Sequence, residues 1–497
     1  MSSRDYWFML ALFGLTVAFR LMLAFHSPYF IDDDSYFWMR QAESISAEGR
    51  HFTYDPLSFG GRAIEFSPLF AYLVAGMGLF GGLAVAGKIM LNIFAATTLI
   101  FVYLASLHLT GSRHVASLAS LISSIIPVWI SNTVSSLSPS MVVLPLMSLL
   151  VYAYLRLESR PWTLAYLATL TVLSFLHPVS TVFVIGLCLH LLIARLENLP
   201  LRKEEIEIIL FSILFVAWSA MVQHKKAILA HGASFIWQNI PGPILDSYFT
   251  NVDILTTIAS IGLVPFAVSV FVTYRYLLRK QSLFATLLIS QALAVGVLLY
   301  LGILAPRVGY PLFGLFVCLL FSIGYQSFLS WLSQSRFGVT HTFAPILIFM
   351  LVVATSLLPS LTITQSAQDQ SGIGDHYRAL EWLSRHSQEN ATVLADINEG
   401  QLIEAVAKRK TMIDSNFLLA KDASKRYSDL QTLFSTPVIS TALSEISAYH
   451  IQYIYASPRF LSRFSPSAQW ISNPECLSLL YNSTIRIYQV TCSLETL

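Results

Sequence analysis

Apolar residues fall in long runs over the first 361 positions, and after that the pattern changes. The runs lie at 6–26, 86–108, 114–131, 139–156, 161–176, 178–196, 206–223, 252–276, 282–303, 308–332 and 342–361. A helix needs roughly 20 mostly apolar residues to cross a bilayer, so these runs predict about eleven transmembrane helices. A further run, 66–81, is short and Gly-rich with Pro68 near its start. It predicts a surface helix of the first loop, with an ordinary span as the alternative. From about 365 onward the chain is polar. Leu and Trp recur at helical spacing over 377–386, and 401–409 and 422–434 also pattern as helices. Alternation predicts strands at 392–396, 410–413 and 451–456, and a hairpin over 476–492. The fold class expected is a polytopic α-helical membrane protein with a small C-terminal α/β domain. Its parts are a membrane domain, 1–364, whose first external loop is 27–85, and an extracytoplasmic domain, 365–497.

Composition agrees with the bilayer placement: 55% of the 497 residues are hydrophobic and only 12% charged, against about 25% in soluble domains. The net charge of +2 gives no basic excess that would suggest nucleic acid. Lys and Arg accumulate in cytoplasmic loops, and this fixes the expected orientation. With residue 1 inside and 66–81 left out of the count, the inside connections hold Arg113, Arg156, Arg160, Arg195, Arg202, Lys203, Arg275, Arg279, Lys280 and Arg336. Counting 66–81 as a span would move these clusters outside. The N-terminus is then cytoplasmic, and loop 27–85, the turn at 177, loop 224–251 and the C-terminal domain are outside. The N-terminal apolar run has no small-residue cleavage site, so it predicts a retained first span. Four cysteines are too few for a disulfide scaffold. Cys188 and Cys318 fall in spans as core residues. Cys476 and Cys492 flank the predicted hairpin, where an external pair would oxidise.

Candidate chemistry concentrates on the outer side. Asp32, Asp33 and Asp34 follow the first span directly. Adjacent carboxylates can serve a general base or share a divalent cation, with Asp32 and Asp34 the candidate ligands. Their plainer use is as the acidic first turn of a helix beginning at Ser35. Arg20 lies inside the first span, where a cation faces the protein interior or snorkels to the surface. Arg307 sits at an external span end, where a guanidinium suits a lipid-linked phosphate. Lys225 and Lys226 break the positive-inside pattern and suit an anionic headgroup. His177, at a tight turn, and Asp55 are candidates for the acceptor side. No acid lies deep in a span, which argues against a transporter.

The segments D-D-D-S-Y-F-W-M-R, Tyr54-Asp55-Pro56, G-G-R and F-S-P-L-F-A-Y-L together resemble the first external loop of the oligosaccharyltransferase catalytic subunit, archaeal members above all. More broadly the chain resembles the GT-C glycosyltransferases, which use polyprenyl-linked sugars. R-V-G-Y-P-L-F-G-L resembles that family's arginine-led late span, and A-L-E-W-L-S-R-H-S with V-L-A-D-I-N-E-G resembles the opening of its soluble domain. The resemblance implies transfer of a sugar from a polyprenyl-phosphate or polyprenyl-pyrophosphate donor to an external acceptor, a glycan, lipid or protein. One of Asp32 to Asp34, with Asp33 or Asp34 preferred, would be the base. Arg307, Lys225, Lys226 and Arg20 would hold the donor phosphate, and a Mg or Mn ion would be the cofactor. The chain also departs from the pattern. Ser135, Ser136 and Ser138 stand where a second acidic motif is expected, and Asp396-Ile397-Asn398-Glu399-Gly400 replaces the acceptor-reading W-W-D-Y-G. Protein N-glycosylation with a divergent acceptor pocket, a non-catalytic lipid-glycan binding or assembly protein, and a transporter remain the alternatives. The archaeal likeness places the protein in a plasma membrane.

Overall fold

The computed structural model describes residues 3–249, 252–279, 282–334, 340–464 and 476–492. Lys280 and Arg336 lie outside them. The chain divides into two units. One comprises residues 1–27, 85–223 and 247–369, and the other 28–84, 224–246 and 370–497.

The first unit is helical. Among the described residues seven helices are long and apolar enough to cross a membrane, or up to nine if two bent pairs each count as one span. They include Tyr6–Ala24, Leu83–Thr110, Val179–Leu196, Lys203–Gln223, Leu283–Tyr300 and Pro306–Leu332. The runs at 139–156 and 161–176 form the shorter helices Ser140–Leu155 and Arg160–Leu176, of 16 and 17 residues. The run at 252–276, expected as one span, is two helices, Ile254–Ile261 and Leu263–Leu278, that meet at 113°. The cause is Gly262, at φ 107°, in the left-handed half of backbone space. A β-carbon there would lie 2.3 Å from the Ser356 hydroxyl, so only glycine makes this corner. The core holds Leu99, Val102, Ile122, Leu150, Leu315 and Leu319, all buried. Small hydroxyls are buried with them, and many donate back one helical turn: Ser123 to Ser120, Ser290 to Thr286, Ser322 to Leu319. That satisfies the hydroxyl where no water reaches.

The second unit gathers the first loop with the C-terminal region. The helix Asp34–Glu48 is followed by an antiparallel ribbon, β1 (Tyr54–Asp55) and β2 (Arg62–Ala63), and by the ten-residue helix Leu69–Gly78. The main sheet has β3 (Thr392–Leu394), β4 (Lys410–Thr411), β5 (Ile451–Ala456), β6 (Leu477–Asn482) and β7 (Arg486–Val490), in the order β4-β3-β5-β7-β6. β3 pairs in parallel with β4 and β5, while β5, β7 and β6 run antiparallel. Helices Ile373–His386, Ala423–Ser435 and Ile439–Ala448 supply apolar faces through Leu380, Leu383, Leu430, Leu433 and Leu443. A disulfide joins Cys476 to Cys492 across the open end of the β6–β7 hairpin. In the first unit Cys318 is buried and Cys188 is exposed.

Candidate functional site

The acidic loop is built by the start of a helix. Asp33 is the N-cap of Asp34–Glu48, and Asp34 is its first residue. The backbone carbonyls of Asp32 and Asp33 accept from the amides of Ser35 and Tyr36. The Ser35 hydroxyl donates to Asp32 Oδ1 at 2.5 Å. Acids at this end of a helix complement its dipole. Behind them the helix is anchored by aromatics. Trp38 meets Phe66 and Phe70 edge-to-face at 5.6 and 5.1 Å, and the Tyr36 hydroxyl donates to the Phe30 carbonyl at 2.8 Å.

The three acids have different surroundings. Asp33 accepts the backbone N–H groups of Leu402 and Gln401 at 2.8 and 3.3 Å, and the Ser415 hydroxyl donates to it at 3.3 Å. Burial pushes its carboxyl well above the usual range, a pull that the two amides oppose and neighbouring Asp34 reinforces. Asp34 is exposed, with the Ser415 hydroxyl 3.4 Å from its Oδ1. Asp32 is half-covered. The cluster therefore joins one carboxyl anchored by backbone amides to an exposed one, Asp34, with Asp32 half-covered beside them.

An ionic network lies beside it. Arg40 forks onto Asp55 with contacts of 2.7 and 2.9 Å and reaches Glu404 at 2.6 Å. Thr411 donates to the other oxygen of Glu404 at 2.6 Å. Burial pulls the Arg40 pKa down, but Glu404 and Asp55 outweigh it and hold it above the ordinary value. Asp55 also accepts from the Leu57 amide at 3.0 Å and is only 1% exposed, so its carboxylate serves the loop's interior. A second set joins Arg62 to the Ser58 hydroxyl (2.7 Å), the Asn416 carbonyl (2.5 Å) and Asp414 (3.4 Å), and Ser58 donates to Asp414. Lys225 and Lys226 are exposed, and Glu65 accepts the backbone amides of Lys226 and Ala227 at 3.2 and 2.9 Å.

The segment Asp396–Gln401 follows β3. Asp396 pairs with Arg463 at 2.8 Å and accepts the Asn398 amide at 3.0 Å. Glu399 is buried, and its Oε2, like Gln401 Oε1, has no partner among the described residues. Burial raises the Glu399 pKa to about 8, opposed by the Ser457 hydroxyl. A carboxyl whose folded pKa lies above its unfolded value takes up a proton on folding, so stability falls as pH rises from the ordinary value towards 8. The expected result is a melting temperature that drops across that window in the native chain and drops less in Glu399→Gln, read by thermal unfolding at stepped pH. Equal slopes in the two proteins would refute it.

The remaining candidates lie in the first unit. Arg20 is 1% exposed. Its Nε donates to Asn92 at 3.0 Å, its Nη2 to the Thr133 hydroxyl at 2.8 Å, and it lies 5.5 Å from the Trp129 ring centroid. Its Nη1 is buried with no partner among the described residues. Trp129, Asn132, Thr133 and Arg307 line one small cavity, and Asn132 donates to the Arg307 carbonyl at 3.2 Å. Arg20, through Thr133, and the Arg307 carbonyl, through Asn132, thus each contact the same short helix, Pro127–Thr133. His177 Nδ1 accepts the amide of Val179, the first residue of the next helix, at 3.1 Å. Ser135 accepts from Gln368 at 2.6 Å.

Sequence reasoning did not single out Arg40, Glu404, Glu399 or Lys88. Lys88 Nζ donates to the carbonyls of Ala24 and Ser27 at 3.1 and 2.6 Å. The signal was available for Lys88, a lone cation in an apolar run. Among the described residues no three His, Cys, Asp or Glu side chains converge as a metal site. Asp32 and Asp34 offer hard oxygen ligands that suit Mg or Mn, which would take its other ligands from water or phosphate.

No protein-family model and no curated sequence matches the chain. Solved structures do. The oligosaccharyltransferase of Archaeoglobus fulgidus in its apo form aligns with TM-score 0.63 at 14% identity, over 92% of this chain and 70% of its own. Other structures of that enzyme hold an inhibitory peptide with dolichol-phosphate, or Zn and sulfate. ArnT from Cupriavidus metallidurans, bound to undecaprenyl phosphate, aligns with TM-score 0.57 at 11% identity over 99% of both chains. The mycobacterial arabinofuranosyltransferase AftD aligns with TM-score 0.55 at 14% identity, over all of this chain and 40% of its own. All three are GT-C glycosyltransferases, and the chain shares their fold.

Proposed function

We infer, starting from a GT-C fold, that this protein is a membrane glycosyltransferase that moves a sugar or glycan from a polyprenyl-phosphate or polyprenyl-pyrophosphate donor to an extracytoplasmic acceptor. The observation that carries the reading is the acidic loop, in which one carboxyl is anchored by backbone amides and its neighbour Asp34 is exposed. In the proposed step Asp34 takes the proton of an acceptor O–H or N–H. The acceptor atom attacks the anomeric carbon from the face opposite the leaving group. The carbon–oxygen bond to phosphate breaks, its electron pair leaves with the polyprenyl phosphate or, from the other donor, the polyprenyl pyrophosphate, and the anomeric configuration inverts. Arg307 and Arg20 are assigned to the phosphate charge developing on the leaving group, the usual place for a fixed guanidinium. Lys225 and Lys226 are assigned to the headgroup, and His177 to the acceptor side. Asp55 is better supported as the partner of Arg40 than as an acceptor contact, because both its oxygens face that guanidinium. A divalent ion held by Asp32 and Asp34 would supply Lewis-acid stabilisation of phosphate charge.

The topology that goes with this reading has about eleven crossings, with residues 1–364 as the membrane part. The N-terminus is cytoplasmic and residues 365–497 are outside. Its support is the charge bias of the loops.

The test is turnover. Full-length protein in nanodiscs, given a radiolabelled polyprenyl-linked sugar and surface-glycan acceptors, is expected to release polyprenyl phosphate and label the acceptor. Saturable binding with no release under any divalent ion would favour a second reading, a non-catalytic lipid-glycan binding protein. The observation behind that reading is the trio Ser135, Ser136 and Ser138, standing where a second acidic motif is expected.

A further inference from the structure

A cavity of about 960 Å³ opens between helices of the first unit. Two helix stripes form its long walls. Val268, Phe271 and Arg275 come from Leu263–Leu278, and Tyr325, Phe328 and Trp331 from Pro306–Leu332. Both helices run in the same sense, since the single helix Leu283–Tyr300 separates them in the chain. The inner end is shut because Val268 and Val272 close against Gly324, where a β-carbon would stand 2.4 and 2.7 Å from them. The open end lies at the C-termini of both helices and carries Arg275 and Gln334. Phe271 and Trp331, 57% and 65% exposed, leave the side open.

The lining is graded. Its depth is apolar and aromatic, and its mouth is cationic and amide-bearing. No carboxylate pairs with Arg275 among the described residues, and the next turn adds a second cation, Arg279. Gln326 contributes a buried carbonyl oxygen that has no donor among the described residues. A free lipid tail would satisfy neither group. A neutral zwitterionic headgroup would bring its own cation to the arginines. An anionic phosphate answers Arg275, and a headgroup hydroxyl answers Gln326. A tryptophan at such a mouth is typical of the bilayer interface, and basic pockets between transmembrane helices take anionic headgroups.

We propose that this groove is a binding site for one anionic glycerophospholipid with a hydroxyl-bearing headgroup, its phosphate on Arg275 and its acyl chain against Phe328 and Tyr325. The site lies at the helix ends that carry the connections near 279 and 333, which the charge bias assigns to the cytoplasmic side. The bound lipid is therefore distinct from the sugar donor of the outer face. It would fill the space left where these two helices, closed on each other at Gly324, diverge towards Arg275 and Gln334.

Native mass spectrometry of the full-length protein in detergent tests this, with phosphatidylglycerol, phosphatidylcholine and undecaprenyl phosphate as probes. The expected result is one saturable phosphatidylglycerol adduct. Arg275→Ala should weaken it roughly tenfold, the scale of one charged hydrogen bond, and Gln326→Leu should weaken it less. Phosphatidylcholine should bind without saturation. Three outcomes would overturn the proposal. One is equal saturable binding of phosphatidylcholine, which means annular lipid only. Another is an unchanged adduct in both variants. The last is displacement by undecaprenyl phosphate at equimolar concentration, which would make the groove a donor-lipid site. A circular-dichroism melt of each variant shows that the fold is intact.

Discussion

Asp34→Asn is expected to reduce glycosyl transfer by at least about 100-fold while leaving the protein folded. A positioned general base contributes roughly 10² to 10⁴ in rate, and an amide in its place accepts no proton. The substitution is isosteric and exposed, with the Ser415 hydroxyl 3.4 Å away. Its effect on stability should stay within about 0.5 kcal/mol, the range for surface changes. The companion variant sharpens the result. Asp33→Asn keeps a carbonyl oxygen for the amides of Leu402 and Gln401. Burial already disfavours charge at Asp33, so a neutral amide fits there and most of the rate should survive. Single-turnover release of polyprenyl phosphate, measured at saturating donor, separates the two. If Asp33→Asn is dead and Asp34→Asn is active, the base is Asp33. If both transfer at the native rate, the acidic loop is not catalytic.

Arg40→Met should be the most damaging single change to the second unit. It leaves Asp55 and Glu404 buried side by side without their shared cation. Breaking a buried ion pair from one side costs about 3–5 kcal/mol, because the remaining charges have lost water and gained nothing. Methionine fills the volume of the stem, so packing is nearly kept and the electrostatic loss is isolated. The expected readout is a fall in melting temperature and early proteolysis of the loop at 28–84 in the intact chain. Adding Glu404→Gln to Arg40→Met should restore part of the loss, since it removes one of the stranded charges. Strictly additive effects would mean that the two residues do not interact.

The architecture was legible where one physical signal dominates. Apolar runs near 20 residues have few fates other than a long helix, and the helices Tyr6–Ala24, Val179–Leu196 and Leu283–Tyr300 lie within a few residues of theirs. Alternation with β-branched and aromatic residues did the same for Ile451–Ala456 and for the β6–β7 hairpin. The corner at Gly262 was not legible, because hydropathy is blind to backbone dihedrals and the run stays apolar through the bend. The acidic loop stood out as an anomaly of charge. Its partners did not, since Arg40, Glu404 and Asp414 are ordinary charged residues in polar stretches. Only tertiary contact shows that Glu404 and Asp414 are buried and that Arg40 is largely covered. The pairing of Arg20 with Asn92 and Thr133 was hidden for the same reason, as no local pattern links positions 72 and 113 residues apart.

The amides that hold Asp33 belong to residues 368 and 369 positions further along the chain. A ribosome adds about 5–20 residues per second, so the acidic loop leaves the synthesis machinery on the order of half a minute before its partners exist. In that interval only nearby contacts are available, and the fork of Arg40 onto Asp55, 15 residues apart, is one of them. That early pair keeps the Asp55 carboxylate neutralised until Glu404 arrives to complete the set. A chain stopped before residue 400 would carry every acid of the motif and still lack the pieces that shape it. In such a protein a nonsense mutation late in the reading frame should be as disabling as one at the beginning.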